Sequence, residues 1–466
     1  MCQALYNLFL HPLAHVPGPF WARASGIPSW YHASTGKRHI WLWQQFQIYG
    51  PMIRPEPNTV LFSDPQAYAD IYGMKSNVRR SAFYTALQRK SNESTTLNTV
   101  DVAEHARKRK LLSLCFNEKS LRAASGFVIR HVDRWNEIML EENSSTTEWS
   151  APVDLTIKVD TLAFDIMGDL SFGRSFDIKE PGENPLRALP HNIVAYMRFY
   201  YPQAEKPETD RRQDMFYFLC EARDPDTGLP AYSEGDLRAE SSLLIIAGSD
   251  TTAVSISGIF FYLTGDPRRC QKLADEILAT FDSAEDIVHG PKLLGCKYLR
   301  ACIDEGMRLT PSGPCELPRE VLPGGIRING EYFPSGTIVG TAAWISSRNE
   351  DVWGDAGVFR PERWILDEAD GVTAESLARM RANFHPFLTG PGSCLGKNVA
   401  MAEIMITVAR TLHRLELRRA PGSTFGGGQQ ELGWGARDER QFQLEDAFIS
   451  LRQGPEVQFR KRSRRV

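Results

Sequence analysis

Ten residues near the C-terminus put one cysteine among three glycines and a proline: Phe387-Leu388-Thr389-Gly390-Pro391-Gly392-Ser393-Cys394-Leu395-Gly396. A helix-forming run, from Lys397 to Arg414, follows at once. Glycine lets a backbone approach a ligand closely. The start of a helix supplies free N–H groups and a partial positive charge, both of which stabilise a thiolate. The arrangement suits a thiolate presented to a large flat cofactor. A buried, inert thiol is the competing reading, because free cysteine is among the most buried residue types. The loop alone leaves both open.

The chain has 466 residues, 42% of them hydrophobic and 24% charged, enough to bury a large core. No Gly/Ser linker, low-complexity tract or internal repeat divides it, so one large domain is expected. A net charge of -3 exerts no general pull toward nucleic acid. The one strongly basic run is the tail Arg460-Lys461-Arg462-Ser463-Arg464-Arg465, a solvated end or a membrane-surface patch. Eight cysteines are dispersed without a Cys-x-x-Cys pair, which fits a reducing compartment. The sequons at Asn92 and Asn143 are short enough to arise by chance. The apolar stretch 4–10 is too short to span a bilayer, and nothing marks a signal peptide. The longer run 243–263 is interrupted by Ser249-Asp250-Thr251-Thr252, so it reads as a buried central helix.

Periodicity predicts a short β region near 52–62 and helices through 103–123 and 129–140. A long helix is expected over 234–265, stopped by Gly265-Asp266-Pro267. Another covers 297–309 before Pro311. A β-rich stretch follows over 317–341, punctuated by Pro-Gly-Gly and Asn-Gly turns. The class is mainly α with a small β-rich part.

Three clusters could carry chemistry. Glu305 and Arg308 share a helical face, and Arg363, in Phe359-Arg360-Pro361-Glu362-Arg363-Trp364, could close a buried charge-assisted network on Glu305. Alone, the helical pair reads as an ordinary surface ion pair. In the central helix, Ala247-Gly248-Ser249-Asp250-Thr251-Thr252 is disfavoured by helix propensity. A threonine hydroxyl can bond the carbonyl one turn back, and a bulge there could open over a flat ligand. An acid beside an alcohol could relay protons into it; a structural kink is the alternative. His105 and Arg109 share a face and could bind anionic groups, or simply be solvated.

In this order the pieces resemble the haem-thiolate monooxygenases, the cytochrome P-450 family. The resemblance rests on Ala247-Gly248-Ser249-Asp250-Thr251-Thr252, Glu305-x-x-Arg308, Phe359-x-Pro361-Glu362-Arg363 and Phe387-x-x-Gly390-x-x-x-Cys394-x-Gly396. It extends from about Tyr6 to Arg462, and the opening Tyr6 to Pro19 is similar to that of fungal microsomal members of secondary metabolism. It implies the P-450 fold as a single large domain. Residues 1–20 would be a membrane-proximal, Pro-rich opening without a transmembrane anchor, 21–459 the monooxygenase domain and 460–466 a basic tail. The cofactor would be haem b, with Cys394 the axial ligand of its iron. His105, Arg109 and Arg319 would bind the propionates. Phe387, Gly390 and Gly396 would surround the thiolate, and Glu305, Arg308 and Arg363 would hold the loop. Asp250 and Thr251 would deliver protons. Ser312, Gly313 and Leu317 would line the pocket of a small lipophilic substrate. Partners would be O2 and an NADPH-dependent flavoprotein reductase docking near Lys397. Peripheral attachment to the cytoplasmic face of the endoplasmic reticulum, or a soluble cytoplasmic protein, would fit. A reductase-independent isomerase or dehydratase and a non-catalytic paralogue are the alternative functions. Two departures bear on the site: Gly392 stands where the family has a basic propionate ligand, and the stretch 185–213, the roof of the pocket, is short.

Overall fold

The computed structural model describes residues 1–88, 94–116, 118–141, 148–188, 215–223 and 228–463. Most of the stretch 185–213, and the sequons at Asn92 and Asn143, lie outside the described residues.

The long helix forms over Glu234–Gly265, as the spacing predicts. Ser233 caps it by accepting the Asp236 N–H at 3.1 Å, leaving one fewer orphan donor in the first turn. Every residue from Thr252 to Thr264 is buried. A helix apolar on all sides must be enclosed by protein or lipid; here protein encloses it. Among the described residues it is the one helix long and apolar enough to cross a membrane. Two glycines set its closest crossing. A Cβ on Gly258 would meet Thr310 Oγ1 at 2.0 Å, and one on Gly306 would meet Ile259 at 2.5 Å. The helix Lys297–Leu309 can therefore press directly on the central helix. The helix Leu155–Phe172 packs along its other side, where Met167 fills the space over Gly248. The helices Glu118–Glu141 and Lys397–Arg414 complete the bundle.

One helix is shorter than expected. The pattern over 103–123 breaks into a helix at Val102–Leu112, a 3-10 turn at Ser113–Phe116 and the start of Glu118–Glu141. The Ser113 hydroxyl donates to the Lys110 carbonyl at 2.6 Å, competing for the acceptor there.

The strands are few. β1 (Met52–Glu56), β2 (Thr59–Phe62), β3 (Val78–Arg80), β5 (Arg319–Val321) and β8 (Ile338–Thr341) form one sheet in the order β1-β2-β8-β5-β3. β6 (Ile326–Ile328) and β7 (Glu331–Phe333) make a hairpin, turned by Asn329-Gly330. β4 (Val153–Asp154), β12 (Glu456–Lys461) and β9 (Leu415–Arg419) form a second sheet; β10 (Glu445–Ala447) and β11 (Ile449–Leu451) a second hairpin. The sheet that matters for the site pairs β3 with β5 antiparallel, with Arg80 directly opposite Arg319.

Glu403, in the helix Lys397–Arg414, is fully buried and its Oε1 has no partner. Burial alone pushes its carboxyl up to about 8. The folded chain thus holds this proton more tightly than the unfolded chain, and stability falls as pH rises from the ordinary carboxylate range toward pH 8. Glu403→Gln should remove that slope, a gain on the order of a few kcal/mol above pH 8. Urea melts at a series of pH values would show it.

Candidate functional site

The cysteine loop is closed by its own backbone: the Cys394 N–H donates to the Phe387 carbonyl at 2.8 Å. Leu388, at φ 55, and Gly390, at φ 61, both adopt left-handed backbone to turn the chain. Gly390 is required for a reason other than approach to a cofactor. A Cβ there would lie 2.2 Å from the Tyr72 carbonyl oxygen, so the glycine lets the loop pack on the helix Pro65–Tyr72. Gly396 caps the helix Lys397–Arg414, and the N–H groups of Gly396 and Lys397 face the sulfur. Phe387 packs partly buried against the core, 5.9 Å beneath the Lys397 ammonium.

Cys394 is accessible to solvent although it sits deep among protein atoms. A side chain on the floor of a recess has both properties. Burial pushes its thiol up; the Gly396 and Lys397 N–H groups and the charges of Arg109 and Lys397 pull it back only in part. Metal binding would have to take the proton.

Three arginines and a histidine gather beside this loop. Arg109 donates to the Ser393 carbonyl at 2.6 Å and to its hydroxyl at 2.8 Å, tying the helix Val102–Leu112 to the residue before the cysteine. Arg319 is buried, donating to the Leu317 carbonyl at 3.0 Å and lying 5.1 Å over the Tyr72 ring. Its Nη2 is 3.0 Å from where a Cβ on Gly392 would stand. The position expected to carry a basic side chain is therefore filled from across the loop, by Arg319. His105 Nε2 is buried without a partner; burial, then Arg80, Arg109 and Arg319, press its imidazole down to about 4.

The third arginine, Arg80, is absent from the sequence-based candidates. It donates to the Thr96 carbonyl at 2.8 Å, and burial, with Arg319 and Arg109, pushes it down to about 10. Alternation along β3 was the available signal: Arg79 turns outward to Glu320 at 3.0 Å, so its neighbour turns inward. Like charges directly opposite in a strand pair are destabilising. Arg80, Arg109 and Arg319 have no carboxylate ion-paired to them among the described residues. This cluster is short of negative charge and fits an anionic ligand with more than one carboxylate.

Glu305 is wholly buried and ligated on both oxygens. Arg308 donates to it at 2.8 and 2.9 Å, Arg363 at 3.1 Å, Trp364 Nε1 at 3.0 Å and the Arg360 N–H at 2.9 Å. Burial pushes its carboxyl up, but the guanidinia and N–H outweigh this and hold it below the usual range. The remaining guanidinium donors take the carbonyls of Ser347, Gly354 and Ala356. The network thus fixes the segment 347–364, and Trp364 extends it to Phe384, three residues before the cysteine loop, with the rings 4.8 Å apart.

In the central helix, Ala247, Gly248, Asp250 and Thr251 are partly accessible while the turns that follow are sealed. No bulge opens: the helix is continuous. Thr251 Oγ1 instead donates to the Ala247 carbonyl at 2.6 Å. Burial, then Asp160, push the Asp250 carboxyl up to about 6, against Arg452. Ser312 sits beside β11, where its carbonyl accepts the Ser450 N–H at 2.8 Å.

A recessed cysteine at a helix start thus stands, in a mainly α protein, beside arginines with no ion-paired carboxylate among the described residues. The sequence profile of the cytochrome P-450 family matches residues 194–426. The chain is 32% identical to the cytochrome P-450 monooxygenase fscF of Fusarium equiseti, over 98% of its own length and 94% of that protein. It is 30% identical to poxM of Penicillium oxalicum (98% and 92% covered) and to AKT7 of Alternaria alternata (98% and 94%), both also cytochrome P-450 monooxygenases. The chain belongs to the cytochrome P-450 family, and the fold expected from the sequence is the fold observed. The cofactor of that family is haem b, and the residues present fit it. The cluster matches a porphyrin's two carboxylates, and no cluster of three or more His, Cys, Asp or Glu among the described residues competes to hold a metal.

Arg80→Gln should loosen haem about tenfold or more, the loss of one charge-assisted contact. Transfer of haem to an acceptor protein measures it. Glu305→Gln leaves two buried guanidinia without a charged partner, and should cost about 3–5 kcal/mol of stability. Thermal melting of the purified protein is the check.

Proposed function

We propose that this chain is a haem-thiolate monooxygenase in which Cys394 binds the iron and Arg80, His105, Arg109 and Arg319 hold the propionates. The observation that carries the reading is the tie from Arg109 to Ser393, which joins the recessed thiol to the unbalanced cation cluster. Bound haem would supply oxygen activation, and a thiolate ligand donates electron density that favours O–O cleavage. The protein's own tasks are then to keep Cys394 deprotonated, through the Gly396 and Lys397 N–H groups and Arg109, and to bring protons through Asp250 and Thr251. Overall, one O2, two electrons and two protons convert a C–H bond to C–OH and release one water.

The electrons come from NADPH through a flavoprotein reductase, for which exposed Lys397 offers a positive contact. The substrate is a small lipophilic molecule of fungal secondary metabolism, a reading supported by the fungal relatives. The N-terminal segments support attachment to the endoplasmic reticulum membrane. The segments Tyr6–Leu10, Phe20–Ala24 and Ile27–Ser34 lie together and expose Phe9, Leu10, Trp21, Ile27 and Trp30, each more than 65% accessible. An apolar and aromatic face of that kind suits a bilayer interface.

The reduced protein should give a carbon-monoxide difference band far to the red of an imidazole-ligated haem. Cys394→Ala should abolish that band, and its persistence in the alanine variant would overturn the assignment.

A further inference from the structure

Glu240 lies on the central helix, 0% exposed, with no cation ion-paired to it among the described residues. Its Oε1 accepts two hydrogen bonds from one residue, the Thr96 N–H at 2.6 Å and the Thr96 hydroxyl at 2.8 Å. The Thr96 carbonyl in turn accepts from Arg80 Nη1 at 2.8 Å. We propose that Glu240 is a positioning residue for the haem propionates, holding the Arg80 guanidinium at the cation cluster beside Cys394 through Thr96. Under the haem-thiolate reading, on which this rests, Arg80 meets a propionate, and Glu240 decides where that contact is made.

Arg80 needs an anchor. It ends β3 directly opposite Arg319, and both guanidinia lie by the Tyr84 ring, 5.5 and 5.8 Å from its centre. Like charges so placed repel, and a long side chain has many rotamers in which to move apart. The Thr96 carbonyl is the one hydrogen-bond acceptor that holds Arg80 among the described residues, so its remaining donors are left to a ligand.

The acceptor itself cannot drift. Asn98 Oδ1 accepts the Thr95 N–H at 2.7 Å, and the Thr95 carbonyl accepts the Thr99 N–H at 3.0 Å and the Thr99 hydroxyl at 2.7 Å, so the segment 94–99 closes on itself. Lys108, 2% exposed, donates to the Ser94 hydroxyl at 2.8 Å and to Asp236 at 2.9 Å. Asp236 and Glu240 stand one turn apart on the central helix. That helix thus grips the segment twice, at Ser94 through Lys108 and at Thr96 through Glu240.

Stability does not account for the acid. Glu240 Oε2 is buried without a partner, and an unanswered carboxylate oxygen is costly. Burial pushes the carboxyl up to about 7, against the two hydrogen bonds from Thr96. Glu305, equally buried, has both oxygens answered. What Glu240 does secure is the orientation of Thr96, whose two donors it takes.

Transfer of haem from the full-length loaded protein to an acceptor protein tests this, in a double-mutant cycle of Glu240→Leu and Arg80→Gln. Glu240→Leu alone should speed haem loss about fivefold. In the Arg80→Gln background the same change should add almost nothing, because a residue acting through Arg80 has nothing left to position. Glu240→Gln keeps an acceptor oxygen for Thr96 and should hold haem as the unsubstituted protein does. The propionate bending bands in the resonance Raman spectrum of the ferric protein should shift the same way in Glu240→Leu and Arg80→Gln, which a merely looser fold would not produce. If Glu240→Leu does not fold, Thr96→Val, which removes only the hydroxyl bond, takes its place in the cycle with the same expectation. Four results would sink the proposal: unchanged haem loss in Glu240→Leu, effects that multiply in the double variant, Glu240→Gln losing haem as fast as Glu240→Leu, or propionate bands that move in Arg80→Gln alone. Ordinary haem loss from Glu240→Leu beside fast loss from Arg80→Gln rejects the part of Glu240 only. Ordinary loss from Arg80→Gln itself rejects the propionate assignment beneath it, and the carbon-monoxide band reports separately on the thiolate.

Discussion

The carboxylate of Glu305 is the charge on which the surrounding structure hangs. Burying it unpaired would cost several kcal/mol; instead two guanidinia, an indole N–H and a backbone N–H converge on its two oxygens. The consequence is wider than one ion pair. Each arginine spends its other donors on backbone carbonyls between Ser347 and Val358, so one anion organises a largely irregular segment that holds a single helical turn, Glu350–Trp353. Such a network is valuable for fixing one geometry, more than for net stability.

The site obeys the opposite rule. Around Glu305 every charge is answered, whereas around Cys394, among the described residues, the arginines have no ion-paired carboxylate and His105 Nε2 has no hydrogen bond. Arg80 opposite Arg319 is a pairing that strand energetics disfavour. In the proposed reading the balancing charge is that of the cofactor. The same logic resolves Gly392. The lost basic side chain leaves a gap, Arg319 leans into it, and Arg80 supplies the additional charge.

Local pattern made much of this legible. The central helix, the helix ending at Leu309 and the helix beginning at Lys397 were readable because capping residues, proline stops and apolar periodicity are properties of neighbours in the chain. Glu305, Arg308 and Arg363 were readable as a set, though their extension through Trp364 to Phe384 was not. Gly390 was assigned the right importance for a different reason, since its neighbour is the Tyr72 carbonyl. Of the two readings of the run around Thr251 the bulge does not form; the threonine hydroxyl bonds the Ala247 carbonyl one turn back inside a continuous helix. Arg80 was missed because its partner lies more than two hundred residues away across β5.

By itself, the sequence determined the class of fold and the family, and singled out one candidate thiol. Those depend on spacing along the chain: a cysteine before a helix start, a carboxylate three residues from a guanidinium, an acid beside an alcohol. Only the tertiary structure decided which charges would meet. Arg80, Arg319 and His105 come from three separate elements, and the ion pair of Asp160 with Arg452 joins residues almost three hundred apart. Coulomb interactions depend on distance in space and on burial, and neither is written in any local run of residues.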